Sequence, residues 1–145
     1  MSFTKVVLLV AALATSVSFA NQEDITYTCS IQNASITTIS VAFERDSGWG
    51  AGWDWDTQPA PSFTSSATIT ISGMEQSGRV EGILFGGYTR LAGYAQILIM
   101  TQNQGILTLS LMEDPQIRSA FGHGVYKGSE ELILSCTISV SERNN

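Results

Sequence analysis

Two cysteines, Cys29 and Cys136, lie toward opposite ends of the chain, each in the middle of a run in which apolar and hydroxyl side chains alternate. In the first run Ile25, Tyr27, Cys29 and Ile31 share one face and Thr26, Thr28 and Ser30 the other. In the last run Leu132, Leu134, Cys136, Ile138 and Val140 oppose Ser135, Thr137, Ser139 and Ser141. A period of two marks a strand buried on one side, so both thiols point inward. A bridge between them would close a loop of 107 residues and, by chain entropy, stabilise the fold by about 4–5 kcal/mol.

The first twenty residues explain why such a bridge would persist. Lys5, the apolar run Val6 to Leu13, and small Ser18 and Ala20 around Phe19 have the layout of a secretory signal peptide cut after Ala20. The apolar run is too short to cross a bilayer as a helix, and Asn21 after the cut offers no cysteine for a lipid anchor. Residues 1–20 therefore read as a signal peptide and 21–145 as one domain, secreted or periplasmic, where disulfides are maintained.

Loss of Lys5 with the leader leaves thirteen acids against six bases. Such a surface argues against nucleic acid or an anionic membrane as partner, because both reward clustered Lys and Arg. A basic protein or a neutral ligand fits equally well.

No stretch of the domain has a helical period. Six further strands are predicted at 36–45, 63–73, 79–86, 92–102, 106–113 and 119–127, with Ile39, Val41 and Phe43, Ile69 and Ile71, and Leu107, Leu109 and Leu111 facing inward. The fifth strand, through Ala95 to Met100, is apolar on both faces. Short connections at Gln32–Ser35, Met74–Gly78, Asn103–Gly105, Asp114–Pro115 and Gly128–Ser129 carry turn residues. The fold class is all-β, an antiparallel up-and-down meander of about eight strands. An even count sets the first and last strands antiparallel, so they can close a barrel pinned by the two cysteines. A two-sheet sandwich is the alternative.

One connection breaks the pattern. From Asp46 to Ser62 the chain holds all three tryptophans, Trp49, Trp53 and Trp55, in a loop about three times the usual hairpin length. In a meander alternate connections emerge at one end. That rim should gather Trp49, Trp53, Trp55, Tyr88, Arg90, Asp114 and Arg118 with both chain termini, and aromatic and Arg residues are the usual anchors of binding hot spots. The rim reads either as a recognition surface or as an end plug in which the tryptophans fold back onto the core.

Other constellations are weaker. Asp46, Asp54 and Asp56 invite a calcium reading but match no complete calcium loop. His123, between Gly122 and Gly124, has no sequence signature supplying a nucleophile beside it; the glycines suggest a bent strand or close packing. Glu113–Asp114 and Glu130–Glu131 are adjacent, so each pair diverges on an extended backbone and gives no glycosidase dyad. Asn33-Ala34-Ser35 matches a glycosylation acceptor. No cofactor or metal is expected. An outer-membrane barrel is a further alternative, opposed by the Ser/Thr faces and the lack of aromatic girdles.

Tyr27-Thr28-Cys29 with the late Cys136 resembles the small disulfide-closed barrels that bacteria export to inhibit C-type lysozymes. The likeness covers the two terminal strands; no loop of this chain is matched to the Ser-Gly and Tyr residues with which that family enters the lysozyme cleft. It implies a periplasmic inhibitor of a basic hydrolase as an alternative. The sequence reading is an exported, non-catalytic binding protein that uses its Trp-rich rim to hold a small ligand or a protein.

Overall fold

A computed structural model describes residues 22–32, 34–47, 49, 60–86, 93–103, 105–114 and 117–143. Eight strands follow in order: β1 Gln22–Ile31, β2 Thr38–Asp46, β3 Ser62–Ile71, β4 Met74–Gly86, β5 Gly93–Thr101, β6 Leu107–Asp114, β7 Ser119–Tyr126 and β8 Glu130–Glu142. Each pairs antiparallel with the next, and β1 pairs with β8, so the sheet is a closed barrel. The meander expected from the alternation is what forms, and the sandwich is excluded.

The seam between the chain's two ends is well registered. Nine residue pairs join β1 to β8, with Cys29 directly opposite Cys136. Opposed positions of this kind bring side chains close enough to bond, and the disulfide is formed with both residues buried.

Inward positions of all eight strands supply one core, including Ile25, Ile39, Ile69, Ile97, Leu109 and Leu132, each wholly excluded from solvent. Side chains therefore fill the middle of the barrel, as they can in a ring of eight strands. The outward positions of β1, β2, β3 and β8 are mostly Ser and Thr. Leu98 and Met100 of β5 face outward and half-buried; Phe121 and Ile133 are outward and exposed.

The expected connection at Met74–Gly78 is corrected: those residues belong to β4, and the β3–β4 turn is Ser72-Gly73. Both have positive φ, 47° and 84°, the backbone of a two-residue turn that follows the twist of its strands. The misleading Gly78 serves close packing instead, since a Cβ there would lie 2.2 Å from the end of Ile69. Gly122 and Gly124 behave as the sequence suggested: added Cβ atoms would meet the β6 carbonyl oxygens of Ser110 and Thr108 at 2.1 and 2.6 Å.

The final residues of β2, β4 and β6 lie at the end of the barrel where β1 begins and β8 finishes. At the other end the Glu130 carboxylate accepts bonds from the Ser35 amide and hydroxyl, tying the β1–β2 connection to β8.

A buried polar cluster at the barrel mouth

The alternation that builds the core also delivers charge into it. Arg45 follows Ile39, Val41 and Phe43 on the inward face of β2, and Glu113 follows Leu107, Leu109 and Leu111 on that of β6. Their side chains are only 10% and 3% exposed and form an ion pair at 3.1 Å. Tyr27, inward on β1 and fully buried, donates its hydroxyl to Glu113 Oε2 at 2.7 Å. Burial above all, then the charge of Glu113 and the hydrogen bond to it, push the Tyr27 phenol well above its ordinary range, with Arg45 opposing.

Aromatic rings enclose the cluster. Tyr27 meets Phe43 edge-on at 5.4 Å, Phe43 stacks on Phe63 at 5.8 Å, and Phe63 meets Trp49 edge-on at 4.9 Å. The Arg45 guanidinium lies 5.1 Å from the Trp49 ring centre and 5.6 Å from that of Phe63, within cation–π range of both. Phe63 reaches this position because its cross-strand neighbour on β4 is Gly82, where a Cβ would lie 2.1 Å from the ring.

Two donors in the cluster, Arg45 Nε and Trp49 Nε1, are buried without an acceptor among the described residues. A buried polar group left unpaired costs about 1–3 kcal/mol, so each is a position at which an arriving acceptor oxygen would be favoured.

Among the described residues the wall beside the cluster is open. β1 remains paired with β2 as far as Asp46, and β3 with β4 back to Ser62, yet β2 and β3 pair only from Ile39↔Ile71 to Phe43↔Ala67. Beyond Phe43 the inward positions carry Arg45, Ser65 and Phe63, and the Trp49 ring packs against Arg45 and Phe63. This wedge stands where the ladder would otherwise continue. A hollow of about 200 Å³ occupies the opening, with Glu44, Arg45 and Asp46 on one bank and Phe63, Thr64 and Ser65 on the other.

Comparison with protein-family models, with curated proteins and with solved structures returned no match.

Of the rim residues predicted from sequence, Trp49 is half-buried in this cluster. Trp53, Trp55, Tyr88 and Arg90 lie outside the described residues, as do Asp54, Asp56 and Asn33. Asp114 ends β6, half-buried on the face opposite Glu113. Arg118 is exposed in the connection after β6, with φ of 50°, and its carbonyl accepts the Ile138 N–H at 2.9 Å. Asp46 accepts a bond from the Gln22 side chain. His123 points outward on β7 between Ser110 and Ile133.

Sequence reasoning passed over Arg45, Glu113, Tyr27 and Phe63 as site residues. The signal was present: Arg45 and Glu113 each occupy an inward position of an otherwise apolar face, and charged side chains are almost never buried unless paired.

Proposed function

We propose that this is an exported, non-catalytic binding protein that engages a protein partner through the rim around Arg45 and Trp49. The observation that carries the reading is the ring-clamped Arg45, whose Nε and the Nε1 of Trp49 have no acceptor among the described residues, beside the stretch where β2 and β3 are not paired. A buried ion pair is weak evidence for stability, so its position at the barrel mouth favours a role in recognition. Trp, Tyr and Arg are the residues most enriched among interface anchors.

The filled core favours a contact made at the mouth over a ligand held along the axis. The Ser and Thr side chains on the outer faces of β1, β3 and β8 favour a barrel in water, since a membrane barrel carries an apolar band all round. Among protein partners a basic hydrolase, as in the lysozyme-inhibitor alternative, suits a chain with an excess of acids.

The test is capture from native extracellular material, with a C-type lysozyme as a defined cationic probe. Proteins held by the native chain should be lost by a Trp49→Phe/Trp53→Ala/Trp55→Ala variant that keeps the native circular dichroism. Equal capture by both proteins would contradict the reading.

A further inference from the structure

The direction of the main-chain groups along the β2–β3 opening is fixed by bonds on either side of it. Ser72 N–H donates to Thr38 C=O, and Leu84 N–H donates to Pro61 C=O. Main-chain groups alternate in direction along a strand, so even-numbered residues of β3 address β2 and odd-numbered ones address β4. By the same alternation, even-numbered residues of β2 address β3. Past the last ladder pair, Phe43↔Ala67, the N–H of Asp46 and the N–H and C=O groups of Ser62 and Thr64 therefore face the opening. They have no ladder partner among the described residues.

This edge differs from a frayed strand end. Each bank is held from behind, β2 by β1 and β3 by β4, through its full length. The rings of Phe63 and Trp49 with the Arg45 guanidinium hold the banks apart from within. Ser62 to Ser66 present about 16 Å of extended edge. Lysine and proline are among the side chains with which native sheets block such edges; the positions on this edge are Ser62, Thr64 and Ser66. A groove of about 820 Å³ continues the opening along the outer wall from Glu44 and Ser66 past Thr68 to Ser77.

Charge narrows the occupant. Around the β2 bank stand the carboxylates Glu23, Asp24, Glu44 and Asp46. The Arg45 guanidinium is turned inward onto Glu113, and the exposed Arg143 bridges Asp24 and Glu44. The excess is acidic.

We infer that the free edge of β3 accepts an extended, basic segment of a partner protein as an added strand, paired with Ser62 and Thr64 and lying in the opening beside Arg45 and Trp49. Main-chain bonds supply affinity in this mode and alternate side chains supply selectivity. The inference rests on the rim-binding reading and names the form of its partner.

The probe is a phage-displayed library of random octapeptides, with the enriched sequences synthesised and their binding measured by fluorescence anisotropy. Enriched peptides should carry Lys or Arg at alternate positions and should slow hydrogen exchange at the Thr64 amide. Thr64→Pro removes an N–H that β4 does not use, so the β3–β4 ladder survives; it should weaken binding at least tenfold, while Thr64→Val stays within about twofold. No enrichment, or equal binding by Thr64→Pro, would overturn strand addition. If Thr64→Pro binds normally but Trp53→Ala/Trp55→Ala does not, the rim reading stands and strand addition falls. If neither variant loses binding, both fall. A dimer in light scattering that Thr64→Pro dissolves would assign the edge to a second copy of the chain and overturn the proposal.

Discussion

Tyr27 and Glu113, 86 residues apart in sequence, share a 2.7 Å hydrogen bond inside the barrel. One residue comes from the strand that closes the sheet and the other from the far wall, so their bond spans the interior at the mouth. With Arg45 they form a polar unit in which each member satisfies another.

Removing one charge should be worse than removing both. Arg45→Met leaves the Glu113 carboxylate buried without its cation and should cost about 3–5 kcal/mol in urea unfolding, as should Glu113→Leu. The double variant should recover a large part of either loss. A double variant as unstable as the sum of the singles would show that the two do not act together.

The buried phenol gives an alkaline signature. Because its folded pKa is raised, Tyr27 stabilises the fold fully at neutral pH, and that contribution falls as pH rises above the ordinary tyrosine range, where only the unfolded chain ionises. Absorbance at about 295 nm should show one tyrosine that ionises only as the protein unfolds. Tyr27→Phe should remove that late step. A phenol signal from Tyr27 rising through the ordinary tyrosine range while the protein stays folded would contradict its burial.

At the opposite end the prediction concerns acid. Hydrogen bonds from the Ser35 hydroxyl and amide hold the exposed Glu130 carboxylate below its usual range. The contact is thus complete above the ordinary glutamate pKa and is lost as pH falls through the lowered value. In an NMR titration the Ser35 amide should move with the Glu130 carboxyl, at a pH below the ordinary glutamate range. Ser35→Ala should return Glu130 toward the ordinary glutamate range; an unchanged midpoint would remove the tether.

Gly82 should tolerate no side chain while Phe63 is present. Gly82→Ala places a methyl on the ring and should cost about 1–3 kcal/mol, the range for overpacking; Phe63→Leu in the same chain should recover part of it. Near-ultraviolet circular dichroism should also change, since Phe63 carries Trp49. An unchanged melting curve for Gly82→Ala would mean that the ring does not depend on the glycine.

Most of the barrel was legible because Ile25 to Ile31 and Leu132 to Val140 alternate without interruption, and period two fixes which side is inward. Parity alone put both cysteines in the core. The β3–β4 turn was misplaced because Gly78 looks like turn chemistry, while its need, room for the Ile69 side chain, comes from a neighbouring strand. The mouth was only partly legible. Trp49 stood out by type, but Arg45, Phe63 and Glu113 become one site only when the barrel closes and brings β2, β3 and β6 around the same space. Nothing local in the sequence reports that β2 and β3 part after Phe43, because the parting arises from the bulk of side chains that meet there.

The opening between β2 and β3 is tested most directly by amide hydrogen exchange in the native protein. Thr64 and Asp46 should exchange orders of magnitude faster than Ser40, Ala42, Thr68 and Thr70, which address the same interface where it is paired. Protection of Thr64 and Asp46 equal to that of Ala42 and Thr68 would mean that the wall is closed, and the proposed site would be lost with it.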